Sequence, residues 1–196
     1  MTTLIFATHN AHKLVEVQQI LSLSDKLVIE NLDSIGFHDG IEETADTLSG
    51  NASIKSRTVY DSHGGNVFSE DTGLEVMALG MAPGVHTARY AGESRDANAN
   101  MDKLLAALQD LPERTARFRT VISLIWEGEE HSFEGIVNGR IALEKAGTTG
   151  FGYDPIFIPY GYDKSFAELS SVVKNGISHR YRAMCSMQKF LKNRVG

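Results

Sequence analysis

Residues 116–143, with the sequence ARFRTVISLIWEGEEHSFEGIVNGRIAL, constrain the fold of this chain more than any other stretch. Two long segments rich in apolar and β-branched residues lie on either side of the polar segment EGEE. This pattern predicts two or three long antiparallel strands, with EGEE at the hairpin turn. The later part of the chain is therefore expected to be rich in hairpins.

The earlier part of the chain alternates between strand and helix patterns. Short apolar runs predict strands at residues 3–8, 26–30, 66–71 and 73–79. Apolar residues at helical spacing predict helices just after Thr8, from Thr47 to Tyr60, from about Asp96 to Leu108 and from about His179 to Lys192. This order predicts the α/β class, with a single domain over residues 1–196. We expect a mixed sheet with helices packed against it, and two lobes around a central cleft.

Composition narrows the range of partners. The 196 residues are 42% hydrophobic and 22% charged, which is an ordinary balance for a globular protein with a sizeable core. The net charge of -6, without an evident basic patch, argues against a nucleic-acid partner and favours a small nucleotide as any phosphate-bearing ligand. The single cysteine, Cys185, excludes an intramolecular disulfide. No signal peptide is visible and the longest apolar run, VISLIW, is too short to cross a bilayer, so we expect a cytoplasmic protein with no membrane partner.

The segment THNAHK lies at the predicted junction between the first strand and the first helix, and it is a candidate phosphate-binding site. A helix N-terminus presents backbone N–H groups at the positive end of the helix dipole, and anions bind there. Thr8 and Asn10 can contact phosphate oxygens, and Lys13 can pair with phosphate charge. The alternative is ordinary helix capping with a solvated lysine. The G-x-x-x-x-G-K-[ST] pattern is absent, which excludes a Walker-type loop.

Two pairs of adjacent acids are candidate metal ligands: Glu42 and Glu43 in GIEET, and Glu70 and Asp71 in SEDTG. Mg²⁺ prefers one or two carboxylates, with waters and substrate phosphate oxygens completing its shell. Glu70 and Asp71 would point to opposite faces of a strand, so only one of them can enter a given site. We favour Asp71, because Gly73 allows a sharp turn after it. The pattern leaves open which of Glu42 and Glu43 faces the metal, and the alternative for either pair is a solvated surface feature.

Two later segments have the composition of a base-binding site. GTTGFGYDPIF, residues 147–157, combines four glycines with two aromatic residues and an Asp-Pro. Glycines let the backbone approach a ligand closely, and a Phe or Tyr ring offers a face on which a purine can stack. KNGISHRYRA, residues 174–183, places a histidine and an arginine at the start of the last helix. The alternatives are a glycine-rich hairpin with two core aromatics, and a capped helix start with exposed basic residues.

Six motifs, taken in order, resemble the inosine triphosphate pyrophosphatase family over nearly the whole chain. They are T-x-N-x-x-K at Thr8–Lys13, E-E-T at Glu42–Thr44, acid-Asp-[ST]-Gly at Glu70–Gly73, APGVHTARYAG at Ala82–Gly92, FGYDP at Phe151–Pro155 and SHR at Ser178–Arg180. The resemblance implies a long mixed β-sheet with two α/β lobes around a deep cleft, and a homodimer. It also implies Mg²⁺-dependent hydrolysis of ITP, dITP and XTP to the monophosphate and pyrophosphate, which cleanses the nucleotide pool.

The same resemblance assigns roles to residues of this chain. It implies that Asp71 is catalytic, and that Mg²⁺ is held by Asp71 with Glu42 or Glu43. It implies that the substrate is bound by Thr8, His9, Asn10, Ala11, His12, Lys13, Thr72, Phe151, Gly152, Tyr153, Asp154, Lys174, His179 and Arg180. Phe151 is expected to stack on the purine. His179 and Arg180, with Lys174, are expected to donate to the 6-keto oxygen that hypoxanthine and xanthine share, so ATP should be a poor substrate.

This sequence departs from the family pattern at a few positions. Glu70 and Thr72 stand where bacterial members commonly have Asp and Ser, and both changes keep the chemistry. The segment GMAPG, residues 80–84, replaces Gly-Gly-x-Pro-Gly. Two alternative functions are a related nucleotide pyrophosphatase of other base specificity, of the septum-inhibitor type, and a non-catalytic nucleotide sensor. The FGYDP and SHR motifs argue against the first alternative, and the intact acids argue against the second.

Overall fold

The structure is a computed structural model that describes residues 2–21, 27–192 and 194. The strands are β1 (Thr2–Phe6), β2 (Leu27–Asn31), β3 (Asn66–Val76), β4 (Pro83–Gly84), β5 (Thr115–Trp126), β6 (Glu129–Ile141) and β7 (Phe157–Pro159). The helices are α1 (Ala11–Leu21), α2 (Leu48–His63), α3 (Ala97–Ala107), α4 (Ser171–Ile177) and α5 (His179–Lys192). Short 3-10 turns cover Met77–Leu79, Thr87–Arg89 and Asp154–Ile156.

The strands form a mixed sheet, which confirms the predicted α/β class. Its order is β2-β1-β3-β5-β6-β7, and β4 pairs with β3. β1 is parallel to both β2 and β3, whereas β4 is antiparallel to β3 and β7 is antiparallel to β6. The chain divides into two compact units. Unit 1 contains the segments up to Asp71, 120–135 and from His179 onward, and unit 2 contains residues 72–119 and 136–178.

Strand alternation organises the core of unit 1. Successive side chains of a strand point to opposite faces, so alternate residues of β1 and β3 pack against different helices. Phe6 and Phe68 stack with their ring centroids 4.4 Å apart, in the core cluster that includes residues of α1 and α5. Ile5 and Val67, which lie on the opposite face, pack instead with Val59 of α2. The buried apolar residues of β1 and β3 therefore determine which helix packs on which face of the sheet.

Unit 2 has a separate apolar core. Leu104 of α3 is fully buried there, together with an aromatic group formed by Phe118, Phe157 and Phe166. The rings of Phe118 and Phe157 have centroids 4.7 Å apart, and those of Phe157 and Phe166 lie 5.1 Å apart. This core supports the segment that contains the FGYDP motif, because Ile156 and Phe157 are part of it.

The predicted hairpin is confirmed, but its turn is shorter than the predicted EGEE, because Glu129 and Glu130 begin β6. β5 and β6 are neighbours in the sheet and are joined by Glu127 and Gly128. These two residues have φ values of 50° and 87°, in the left-handed region that two-residue hairpin turns require. Such a tight turn fixes the register of two strands that are 12 and 13 residues long.

Several predicted bounds were wrong. Residues 66–76 form one continuous strand, and residues 77–79 form a 3-10 turn where a strand was predicted. α2 extends to His63, beyond the predicted end at Tyr60. The helix α4 and the short strands β4 and β7 were not predicted, because elements of seven, two and three residues are too short to show a period. The predicted start of the second strand, Lys26, lies outside the described residues. Within the described ranges, no helix is long and apolar enough to cross a membrane.

Candidate active site

The two acids at the middle of β3 point to opposite faces, as predicted from strand alternation. Glu70 contacts residues of α1 and α5, whereas Asp71 contacts residues of α2. Both carboxylates are buried, with 2% of Glu70 and 8% of Asp71 exposed. Buried carboxylates require partners, and the two sets of partners define the site in unit 1.

Glu70 is held by a buried arginine and a lysine. The Arg180 Nε atom lies 2.9 Å from both carboxylate oxygens of Glu70, and Arg180 Nη2 donates to Oε1 at 2.7 Å. Arg180 Nη1 donates to Glu16 of α1, and Lys13 Nζ lies 3.3 Å from Glu70 Oε1. Burial alone would raise the pKa of the Glu70 carboxyl, but the charges of Arg180 and Lys13 and the hydrogen bonds lower it to about 2. Glu70 is therefore ionised across the physiological range.

Asp71 shares a lysine with a second carboxylate. Lys55 Nζ of α2 lies 3.5 Å from Asp71 Oδ1 and donates to Glu43 Oε1 at 2.6 Å. Asn51, one helical turn earlier, donates from Nδ2 to Asp71 Oδ2 at 3.3 Å. Burial raises the pKa of Asp71, and Glu43 adds to this effect, while Lys55, Lys13 and Asn51 oppose it. We call Lys13, Glu43, Lys55, Glu70 and Asp71 the carboxylate cluster.

The carboxylate cluster suits a metal that is completed by its substrate. Glu43 lies beside Lys55 and Asp71, whereas the neighbouring Glu42 is exposed. The described residues contain no group of three or more His, Cys, Asp or Glu side chains gathered to hold a metal ion, so Glu42, Glu43 and Asp71 do not form a three-ligand site. Two nearby carboxylates nevertheless fit Mg²⁺, which takes its remaining ligands from water and phosphate oxygens.

The start of α1 has the capping arrangement that was considered as the alternative for THNAHK. Asn10 Oδ1 accepts from the backbone N–H groups of His12 and Lys13 at 3.0 and 3.3 Å. Thr8 Oγ1 accepts from the N–H of Asn10 at 3.1 Å. His9 contacts Asp33 and the backbone oxygen of Asp39 at 3.3 and 3.4 Å. The side chains of Thr8 and Asn10 thus shape the turn, and phosphate binding by residues 8–13, Ala11 included, stays a prediction.

Unit 2 brings three predicted residues, Phe151, Asp154 and Lys174, together with Phe166, which was not predicted, and we call these four the lysine–aromatic cluster. Lys174 Nζ donates to Asp154 Oδ2 at 2.7 Å and lies 5.0 Å from the centroid of the Phe151 ring. The same Asp154 oxygen accepts from the Phe151 N–H at 2.8 Å. Gly150 makes this contact possible, because a Cβ atom there would lie 2.1 Å from Asp154 Oδ2. The FGYDP motif and Lys174 are therefore physically linked within unit 2.

The two aromatic residues of FGYDP, Phe151 and Tyr153, have different environments. Tyr153 is 3% exposed, belongs to the core of unit 2 and donates from its hydroxyl to the Thr87 carbonyl at 2.9 Å. Its ring is thus a core aromatic, as the alternative interpretation of this segment predicted. Phe151 is only partly buried. Gly152, between these two aromatic residues, adopts a φ of 62°. Thr72, another predicted substrate-binding residue, follows Asp71 in β3 and has a partly buried side chain. Substrate contacts by these residues stay predictions.

The SHR motif is buried in this structure. His179 and Arg180, the first residues of α5, are 4% and 1% exposed. The three guanidinium nitrogens of Arg180 each donate to a carboxylate, so the side chain faces Glu70 and Glu16. Contact of these two residues with a purine base stays a prediction.

Sequence reasoning missed three members of the site environment: Glu16, Asn51 and Lys55. A signal for Lys55 was present, because it falls on the predicted apolar stripe of α2 between Ala52 and Val59. A lysine at such a position is buried, 8% exposed here, and a buried lysine needs anionic partners. No comparable signal marked Glu16, which lies 164 residues from its partner Arg180.

Comparison with known proteins agrees with the motifs and the geometry. A model of the Ham1 family matches residues 4–190. The chain is 53% identical to the dITP/XTP pyrophosphatase of Porphyromonas gingivalis, over 97% of this chain and 98% of that protein. It is 44% identical to the dITP/XTP pyrophosphatase of Bacillus subtilis, over 98% of each.

Solved structures give the same result. The Ham1 protein of Staphylococcus aureus superposes with a TM-score of 0.89 at 37% identity, over 98% of this chain and 99% of that one. A HAM1 protein from Coxiella burnetii gives a TM-score of 0.90 at 35% identity, over 98% and 100% of the two chains. The resemblance inferred from the six motifs is thus confirmed over nearly the full length. This chain belongs to the Ham1 family.

Proposed function

We propose that this protein hydrolyses ITP, dITP and XTP at the bond between the α- and β-phosphates, releasing the nucleoside monophosphate and pyrophosphate. The full-length similarity to proteins named dITP/XTP pyrophosphatase supports this activity. The observation that carries it in the structure is the buried carboxylate of Asp71 beside Lys55 and Glu43. Such an arrangement can bind a metal, orient water and accept a proton.

Asp71 is proposed as the base that takes a proton from the attacking water. A carboxylate with an ordinary pKa is a weak base, and burial raises the pKa of Asp71 toward the working pH. Lys55 keeps the carboxylate ionised, because its ammonium group lies 3.5 Å from Oδ1. The two opposing influences leave a carboxylate that is more basic than a solvated one and is still able to accept a proton.

Mg²⁺ is the cofactor that we propose for Asp71 and Glu43. When bound, it would neutralise phosphate charge and polarise the phosphoanhydride. Glu43, rather than Glu42, is the proposed second ligand. Glu43 contacts the same lysine, Lys55, as Asp71 does, so its carboxylate lies near that of Asp71. Lys13 provides a further cation. Its pKa is lowered, chiefly by burial and further by Lys55 and Arg180, despite the opposing charge of Glu70, so an incoming phosphate would favour its charged form.

The lysine–aromatic cluster is proposed to recognise the base. The Phe151 ring offers a stacking face, and Lys174 offers N–H donors suited to a 6-keto oxygen. Adenine has a donor at that position, so it would leave the lysine without an acceptor. A site built around such a contact discriminates strongly, and ATP should be a very poor substrate.

One assay tests the proposed function. The protein is incubated with MgCl₂ and ITP, dITP, XTP or ATP, and pyrophosphate and orthophosphate are measured separately. We expect pyrophosphate from the first three nucleotides and little product from ATP. Binding without turnover would identify a nucleotide sensor instead, and orthophosphate as the first product would exclude cleavage between the α- and β-phosphates.

Substitution of Asp71 tests the mechanism. Asp71→Asn keeps the shape of the side chain but removes its charge and basicity, so turnover should fall by about 10²-fold or more. Glu43→Gln should raise the Mg²⁺ concentration needed for half-maximal rate, whereas Glu42→Gln should leave it unchanged. Circular dichroism and thermal unfolding check that each variant is folded. Near-native turnover of Asp71→Asn would remove Asp71 from the mechanism.

A cytoplasmic location and a homodimer complete the proposal. The homodimer comes from the family resemblance.

A further inference from the structure

A buried chain of hydroxyl groups attaches α2 to the β5–β6 hairpin of unit 1. Ser56 of α2 and Ser123 of β5 are 0% and 3% exposed, and their Oγ atoms lie 2.7 Å apart. Ser123 Oγ donates to Glu130 Oε1 of β6 at 2.7 Å. Ser56, Ser123 and Glu130 are outside the carboxylate cluster, and the proposed chemistry does not use them.

The direction of these hydrogen bonds is determined by the carboxylate at the end of the chain. Each serine hydroxyl has one proton, and Ser123 gives its proton to Glu130. With the Ser123 proton given to Glu130, Ser56 is the donor to Ser123, but the Ser53 carbonyl oxygen, 3.1 Å from Ser56 Oγ, competes for the same proton. Glu130 also accepts from Arg57 and Ser53 of α2, and these contacts lower its pKa against the effect of its partial burial. The carboxylate thus orients the Ser123 hydroxyl, and the Ser56 proton is divided between Ser123 and the Ser53 carbonyl.

The chain of hydrogen bonds acts on the helix that carries Asn51 and Lys55. Ser56 follows Lys55 directly, so the rotation of α2 that points the Ser56 hydroxyl at β5 also sets the direction of the Lys55 side chain. A second attachment lies on the same face of the sheet, where Ser69 of β3 donates to the Ala52 carbonyl. Apolar packing tolerates small rotations of a helix, whereas directional buried hydrogen bonds do not.

We propose that Glu130, acting through Ser123 and Ser56, is a positioning residue that holds α2 at the rotation required for Lys55 and Asn51 to contact Asp71. This inference rests on the proposed function only for its kinetic readout. It assigns a role to three residues that touch neither the proposed metal nor the substrate. It also predicts that their removal alters the rate through Lys55 and Asn51 and not independently of them.

Kinetics with ITP test the assignment. Ser123→Ala and Glu130→Ala should each lower kcat by about 10-fold with KM within about 2-fold, because small displacements of a catalytic group reduce turnover strongly. Glu130→Gln keeps an oxygen that accepts from Ser123 and should stay within about 2-fold of the original kcat. Leu104→Val, in the separate core of unit 2, is the control for a general loss of stability and should leave kcat unchanged. An unchanged kcat in Ser123→Ala and Glu130→Ala would overturn the proposal.

A double-mutant cycle separates positioning from general destabilisation. In a background with both Asn51→Ala and Lys55→Ala, Ser123→Ala should lower kcat by less than about 2-fold, since the two groups that it positions are already absent. Effects that multiply would overturn the proposal.

Crystal structures give a readout that needs no activity: in Ser123→Ala the distance from Lys55 Nζ to Asp71 Oδ1 should exceed 4 Å, and an unchanged 3.5 Å would overturn the proposal. If the original protein releases no pyrophosphate, the proposed function fails, while this distance still decides the positioning role.

Discussion

Glu70 and Asp71 are neighbours in the sequence, yet the pKa values of their carboxyl groups shift in opposite directions. Burial raises both, but Glu70 receives a buried guanidinium with three donated contacts, which lowers its pKa to about 2. Asp71 receives one amide and a lysine that it shares with Glu43, which does not offset its burial. Strand alternation therefore gives one acid a structural ion pair and leaves the other able to do chemistry.

The Glu70 ion pair predicts a specific acid sensitivity. The folded pKa of about 2 lies below the ordinary value of 4.5, so Glu70 contributes stability that is present above pH 4.5 and is lost as the pH falls toward 2. Each pH unit in this window corresponds to about 1.4 kcal/mol, so about 2 kcal/mol should be lost between pH 4.5 and pH 3. Urea unfolding of the original protein and of Glu70→Gln at both pH values measures this contribution. The same pH dependence in both proteins would contradict it.

At the scale of elements, the segment that departs from the family pattern has an unusual backbone. Met81 stands at a position where the pattern has glycine, and it has a φ of 72° with 42% of its surface exposed. A side chain in the left-handed region costs about 1–2 kcal/mol of stability. Replacing it with glycine recovers only part of this cost, because glycine loses more conformational entropy on folding. We expect Met81→Gly to raise the free energy of unfolding by about 0.5 kcal/mol, and Met81→Ala, which keeps the strain, to give no gain. Chemical unfolding of the three proteins provides the comparison.

Gly135 of β6 marks a close contact between a strand and a helix. A Cβ atom there would lie 2.1 Å from the His179 carbonyl oxygen and 2.4 Å from the Ala183 nitrogen. Because both atoms belong to the backbone of α5, Gly135→Ala must displace the helix and should cost about 1–3 kcal/mol. Gly176→Ala, in open space within α4, is the control and should not destabilise the protein. Equal melting temperatures for Gly135→Ala and the original protein would show that α5 accommodates the methyl group.

Long periodic elements were predictable from the sequence, and the contacts between them were not. The spacing of apolar residues predicted α5 with its observed bounds, and Thr47 and Asp96 are N-caps of helices predicted to begin at those residues. The preference for Asp71 over Glu70 rested on a sharp turn at Gly73, and this reason was wrong, because Gly73 lies inside the continuous strand β3. Glu16 could not be predicted, because a buried ion pair depends on which elements meet in space, and one sequence does not specify that, whereas the position of Lys55 on the apolar stripe of α2 was a signal that was missed.

At the scale of the whole molecule, the family resemblance predicts a homodimer. Twofold dimers are the commonest assemblies among soluble homo-oligomers. Light scattering at micromolar concentration should give twice the mass of one 21.5 kDa chain. A mass equal to that of a single chain would contradict the prediction.

The ion pairs of Arg180 have a consequence for how the chain folds during synthesis. Its two acidic partners are made 164 and 110 residues before it, so both leave the ribosome long before α5 exists. Until α5 docks, both acids lack the Arg180 guanidinium and Glu70 has Lys13 as its cationic partner, so closing unit 1 over them is less favourable. Completion of the proposed active site should thus wait until α5 has left the ribosome, and a nascent chain released before α5 would carry β3 without a stable environment for its buried acids.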